Sequence, residues 1–235
     1  DAFYQTFRAL NLAEKYQTVV LLLTDQYLAD SNVTIPKYNL DNLEIVDDAI
    51  REVPEGEVYK RFKITENGIS PRLIPGKAAG QVVVVDSDEH NEEGHIIESA
   101  EERNAMMEKR MRKAILMKEA MEEPLYMGAE TPEILLVGWG STYGPMKEAV
   151  EELNKEGLSV GALSFGDLYP LPEKKLRKYK DLAKKIVNVE MNFTGQLGKL
   201  ISMETGILMD HSILKYDGRQ ISANEIISRV RNEVL

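Results

Sequence analysis

From Glu133 to the end of the chain, short apolar runs alternate with stretches of helical periodicity, and this alternation limits the fold more than any other feature. The runs Ile134–Val137, Leu158–Leu163, Ile186–Met191 and Ser212–Lys215 are predicted strands. Between them the spacing predicts helices: one to about Glu156 with Met146, Val150 and Leu153 inward, one opening near Pro172 and running to about Lys185, and one over Gln196–Glu204. Gly157 and Gly206 stand where helices commonly stop, and Pro172 where a missing N–H does no harm. A last helix opens at Ser222 with Glu225 three residues on, the spacing of a capping box. Strands and helices in strict alternation imply an α/β domain, a parallel sheet flanked by helices, placed here at 128–235.

The first half is less regular. Residues 3–16 put Phe3, Phe7, Leu10 and Ala13 at helical spacing, and Thr18–Leu23 reads as a buried parallel strand. One helix and one strand cannot cover both faces of a parallel sheet, so 1–30 is read as the tail of a domain whose body lies elsewhere. The chain opens with Asp1 rather than Met, which fits a processed or truncated piece. Residues 31–127 read as a linker segment with a long helix. Pro36, Pro54, Pro71 and Pro75 interrupt the early part, Val58–Ile64 alternates like an edge strand, and Ala100–Met121 is the helix. Met107, Met111, Ala114, Ile115 and Lys118 are its expected packing stripe, and Lys109–Lys113 its solvated face.

Composition excludes several functions. Hydrophobic residues make up 43% of the chain, enough for a core. The net charge of −10 disfavours nucleic acid as a partner. No apolar run approaches the roughly 18 residues of a membrane span, and no signal peptide is visible. A soluble cytoplasmic protein is expected. With no cysteine and only His90, His95 and His211, the chain offers no thiolate cluster ligands and no convincing metal site.

A few segments carry polar groups where ligands or subunits could meet them. Gly138, Gly140, Ser141 and Thr142 join a strand to a helix, where backbone N–H groups could face an anion or the small residues simply make a tight turn. The spacing is neither GxGxxG nor a P-loop. Asn192, Gly195 and Gln196 follow the third strand and could bind a ligand or partner, or cap their own loop. His90 sits among Asp86, Asp88 and Glu89, a setting for proton transfer or a solvated turn. Arg72, in a Gly- and Pro-rich loop, could hold a carboxylate or phosphate, or form a structural ion pair. These residues are candidate ligand or interface groups; no catalytic residue is assigned.

Taken in order, Leu22–Asp30, Gly68-Ile-Ser-Pro-Arg72 with Pro75-Gly76, Asp88-Glu-His90 with Gly94, Lys109-Arg110, Gly138-Trp-Gly-Ser-Thr142, and Glu190-Met-Asn192 with Gly195-Gln196 resemble the alpha subunit of 2-oxoacid:ferredoxin oxidoreductases, in its C-terminal part and its 2-oxoglutarate (KorA-like) branch. Ser87 departs from the glycine common there. The resemblance implies a pyrimidine-binding-type domain ending within 1–30 and a transketolase C-terminal-like domain at 128–235. It implies a thiamine-diphosphate enzyme that decarboxylates a 2-oxoacid oxidatively, transfers the acyl group to coenzyme A and passes electrons through iron–sulfur clusters to ferredoxin. Thiamine diphosphate, Mg²⁺ and the clusters would lie on a beta subunit and possible gamma or delta subunits, not on this chain. The fragment alone is then expected to be inactive, with an assembly role. The rival reading is a non-enzymatic interaction or nucleotide-binding α/β module.

Overall fold

The computed structural model describes residues 1–235. In chain order the elements are α1 (Ala2–Tyr16), α2 (Gln26–Asp30), β1 (Ala49–Ile50), β2 (Arg72–Leu73), α3 (Ala100–Glu119), β3 (Leu125–Gly128), β4 (Ile134–Trp139), α4 (Tyr143–Lys155), β5 (Val160–Phe165), α5 (Lys174–Leu182), β6 (Lys185–Glu190), α6 (Gln196–Thr205), β7 (His211–Leu214) and α7 (Ala223–Arg229). A 3-10 turn, Gly140–Thr142, links β4 to α4, and a π turn, Val230–Val234, ends the chain. Two units emerge: residues 1–23 with 34–117, and residues 24–33 with 118–235. No helix is long and apolar enough to cross a membrane.

The second unit holds a five-stranded sheet in the order β3-β5-β4-β6-β7, with β4, β5, β6 and β7 parallel. The expected α/β sheet is therefore present. Its strands alternate as the pleat requires: Ile134 and Leu136 face one core, Leu135 and Val137 the other. The first core is closed by Met146, Val150 and Leu153 of α4 and by Ile226 and Ile227 of α7; the second by Leu176 of α5 and by Leu197 and Ile201 of α6. Ser222 and Glu225 form the capping box that their spacing announced. The sequence reading missed β3, an antiparallel edge strand on β5. Its residues Leu125-Tyr-Met-Gly128 include no β-branched side chain, and the free edge of β5 supplies the order that propensity does not.

In the first unit, three expectations fail. Thr18–Leu23 forms no strand, and Val19, Leu21, Leu22 and Leu23 are exposed. They pair with no strand of this chain, and an apolar β-branched run cannot build a ladder alone. Val58–Ile64 also forms no strand; Tyr59 is instead pinned by its hydroxyl, which donates to the Pro71 carbonyl and accepts from Leu73 N, both at 3.0 Å. Helix α3 is rotated from its expected setting. Met107, Met111 and Ile115 point outward, while Met106 and Lys109 are buried. Phe62 presents a carbonyl and Ser70 a hydroxyl acceptor to α3, and these favour the cationic face over the apolar one.

Candidate functional site

The parallel strands leave a topological switch point. The chain leaves β4 for β5 on one side through α4, then crosses back through α5 to β6 on the other side. In sheets of this kind the crevice between the carboxyl ends of the two strands flanking the switch is where ligands bind. Here those ends are Trp139 and Glu190.

Glu190 is fully buried, on the face of β6 that looks at α6. Its carboxylate accepts from Leu197 N and Gly198 N at 3.0 Å each, Asn188 Nδ2 at 2.9 Å, Asn192 Nδ2 at 2.8 Å and Trp139 Nε1 at 3.2 Å. Burial alone pushes the carboxyl up; the N–H donors of Leu197, Gly198, Asn192 and Asn188 more than offset it, so the group lies below its ordinary value and is ionised at neutral pH. The negative charge sits at the N-terminus of α6, where unsatisfied N–H groups and the helix dipole favour it.

Asn192 completes the turn. Its Oδ1 accepts from Thr194 N at 3.1 Å, Gly195 N at 2.7 Å and Gln196 N at 3.3 Å. Gly195 adopts a left-handed conformation as α6 begins and is buried, and a Cβ there would come within 3.0 Å of Asn188 Nδ2. Gln196 lies at the surface. Thus Asn192 and Gly195 are held inside the loop, and Gln196 faces outward.

Across the switch point, Gly138 is packed beneath the 3-10 turn: a Cβ there would meet Thr142 Oγ1 at 2.7 Å and Met146 Sδ at 2.8 Å. The Thr142 hydroxyl donates to the Trp139 carbonyl at 2.8 Å. Gly140 is exposed with φ +60°. The Ser141 hydroxyl donates at 2.9 Å to Asp25 Oδ1, which also caps α2 at Leu28 N. The helix start that could have faced an external anion therefore has a carboxylate of the same unit beside it.

Each connection leaving a parallel strand also presents an exposed aromatic ring: Tyr143 after β4, Tyr169 after β5, Phe193 after β6 and Tyr216 after β7. Phe193 and Tyr216 meet edge to face with centroids 4.8 Å apart. No sequence pattern announced this set, because the rings are scattered in the chain and only the parallel topology gathers them on one edge. A groove of about 520 Å³ lies at the opposite edge, among Lys180, Lys184, Gly206 and Asp210. It gathers no polar groups of the switch point.

The remaining candidates lie in the first unit. Arg72 is ion-paired with Glu14. His90 stacks at a tilt on Phe62, centroids 3.6 Å apart, with Nδ1 3.3 Å from the Asp88 carbonyl. Glu89 is held by Arg110 and Arg103, and the Arg110 hydrogen bonds first, then the His90 N–H, keep its carboxyl below the usual range. Lys109, read from sequence as solvated, is buried, and its ammonium donates to the Phe62 carbonyl at 2.7 Å and to the Ser70 hydroxyl. Gly68 lets this loop approach: a Cβ there would lie 2.4 Å from the Lys109 carbonyl. The donor sets do not fit a metal or cluster. There is no cysteine, and no group of three or more His, Asp or Glu side chains is arranged to hold an ion.

Comparisons with known proteins converge. Residues 132–226 match the family described as pyruvate:ferredoxin oxidoreductase core domain II. The chain is 38% identical over 231 residues to the 2-oxoacid:ferredoxin oxidoreductase subunit alpha of Saccharolobus solfataricus, covering 96% of this chain and 36% of that one. It is 25% identical over 233 residues to the 2-oxoglutarate synthase subunit KorA of Methanothermobacter marburgensis, covering 98% and 60%. The 2-oxoglutarate:ferredoxin oxidoreductase of Magnetococcus marinus, solved with 2-oxoglutarate, coenzyme A and succinyl-CoA bound, superposes with a TM-score of 0.87 at 31% identity, covering 96% of this chain and 39% of that one. The chain thus spans about a third of the length of the first curated relatives it matches.

Proposed function

We propose that this chain, which belongs with the alpha subunits of 2-oxoacid:ferredoxin oxidoreductases, serves such an enzyme as an assembly element rather than as its catalytic centre. The reaction of the whole enzyme would be oxidative decarboxylation of 2-oxoglutarate or a related 2-oxoacid to the acyl-CoA, with electrons passed to ferredoxin in the cytoplasm. Thiamine diphosphate, Mg²⁺ and iron–sulfur clusters would be carried by a beta subunit, with gamma or delta subunits where the enzyme has them. When bound, thiamine diphosphate supplies the carbanion chemistry of decarboxylation. This chain's residues hold the edge that faces a neighbour.

The observation that carries the assembly role is the row of exposed rings at the carboxyl edge: Tyr143, Tyr169, Phe193 and Tyr216. Aromatic side chains are enriched in interface cores because they bury large areas with few rotamers to fix. The buried Glu190 network underneath keeps the loops in place, so a docking partner meets a preorganised surface. The exposed Val19, Leu21, Leu22 and Leu23 support a second contact. The Thr18–Leu23 run fits the last strand of a pyrimidine-binding-type domain over 1–30, with 31–127 as a linker and 128–235 as a transketolase C-terminal-like domain.

The test is reconstitution. Full-length alpha subunit and beta subunit, given 2-oxoglutarate, coenzyme A and thiamine diphosphate, should reduce ferredoxin, and the present chain alone should not. Phe193→Ala with Tyr216→Ala in the full-length subunit should reduce co-purification of the beta subunit. Turnover by the chain alone, or full assembly of the double variant, refutes the reading.

A further inference from the structure

The first unit contains a cluster of positive charge that this acidic chain compensates only in part. Arg61, on a loop, donates to Gln17 Oε1 at 2.8 Å. Lys113, on α3, donates to the Gln17 carbonyl at 3.4 Å. Lys109, one turn earlier, donates to the Phe62 carbonyl and the Ser70 hydroxyl. Every one of these acceptors is neutral. On the same helix face Arg112 donates to the Thr65 carbonyl at 3.3 Å, while its buried Nε–H has no acceptor at all.

The neighbouring carboxylates form their ion pairs with other cations, although Glu92 attracts Lys109 weakly from a distance. Glu92 pairs with Lys60 at 2.9 Å, and Glu89 with Arg110 and Arg103. Neutral acceptors satisfy hydrogen bonds but leave the charges repelling one another in a partly dry setting. Both lysines should lose protons more readily than usual for this reason. Burial first, and then the charges of Lys113, Arg61 and Arg110, draw Lys109 down to about 8. Burial and Arg61 lower Lys113 as well. Each of these side chains keeps further N–H donors unengaged, and Arg61 and Lys113 are only half-buried, so the cluster is open to a ligand.

We propose that Arg61, Lys109 and Lys113 form a binding site for a multiply charged phosphate-type oxyanion, either free or as the phosphate group of an organic ester. A carboxylate carries a single charge and is planar; it suits one guanidinium fork. Cations converging from a loop and a helix suit a tetrahedral dianion that accepts from several directions. The site uses none of the residues at the carboxyl edge and stands or falls separately from the assembly role.

The experiment is calorimetric titration of the intact chain with inorganic pyrophosphate, inorganic phosphate, adenosine monophosphate and succinate, each against sodium chloride of equal ionic strength. Pyrophosphate should bind and succinate should not. Tighter binding of adenosine monophosphate than of phosphate identifies an ester as the natural form; equal binding identifies the free anion. Lys109→Met, which keeps the stem and removes a buried charge, should weaken pyrophosphate by about tenfold or more, as should Arg61→Gln. Arg61 is half-buried, so the second variant stays informative if the first misfolds. No heat above the salt control, equal binding of succinate, or affinity unchanged in a folded variant overturns the proposal.

Discussion

Trp139 Nε1 donates to Glu190 Oε2 at 3.2 Å, joining the carboxyl ends of the two strands that flank the switch point of the sheet. The bond is one of several on a carboxylate with no solvent exposure. Its consequence is rigidity at the edge where a sheet of this topology usually does its work. The ring edge and the β6–α6 turn are set by the same buried charge.

Glu190→Gln should therefore destabilise the second unit by about 1–3 kcal/mol, because an amide nitrogen replaces an acceptor among N–H donors. Acid should act on the same group. Its carboxyl lies below the ordinary 4.5, so its contribution is fully present above that pH and is lost as pH falls through the lower folded value. Urea unfolding of wild type and variant across the acid range checks this: the wild type should lose stability more steeply below about pH 4.5.

Lys109 gives the opposite pH signature. Its ammonium is held at about 8 against an ordinary 10.5, so between those values the unfolded chain binds the extra proton and stability rises with pH. The gain is on the order of 3 kcal/mol at most. Lys109→Met should flatten that rise while leaving the background from other lysines and tyrosines, and denaturant melts between about pH 7.5 and 10.5 measure the difference.

Gly68→Ala should be costly although a single methyl is added. The new Cβ would stand 2.4 Å from the Lys109 carbonyl and 2.8 Å from Lys113 N, on a backbone with φ +77°. Neither backbone atom can move without shifting α3. A loss of about 3 kcal/mol is expected. Gly56→Ala is the control: it meets nothing within 4 Å and bears only the positive-φ penalty.

Phe193→Ala and Tyr216→Ala should leave the melting temperature of this chain nearly unchanged, since both rings are exposed and mainly touch each other. In the assembled enzyme each should weaken subunit association by about 2 kcal/mol if it anchors the interface. Analytical ultracentrifugation of the complex across a dilution series reads the difference.

The sheet was legible because buried parallel strands tend to be apolar on both faces; Ile134–Val137 satisfies that without help, and Ile186–Met191 satisfies it on the Val187 and Val189 face while the other carries Asn188 and Glu190. The caps were legible for the same local reason: Ser222 and Glu225 need only each other. The failures share another cause. Thr18–Leu23 has strand composition, but a ladder requires a neighbouring strand, and this run pairs with none. Helix α3 has an apolar stripe and a cationic stripe, and which one turns inward depended on acceptors from residues 62 and 70. At the switch point, Glu190 and Asn192 were visible as polar residues beside a strand, but nothing local to them named Trp139 as a partner. Long-range hydrogen bonds leave no periodic trace.

The rotation of α3 also places soft sulfur atoms in reach of solvent. Met107 and Met111 stand exposed on successive turns, with Ile115 beyond them. Peroxide converts accessible thioethers to sulfoxides, which are polar and chiral, whereas buried Met106 and Met146 are shielded. The helix is consequently its own chemical footprint. Sulfoxide formed at Met107 and Met111 in the lone chain, and absent from the assembled enzyme, would mark this face as a covered seam.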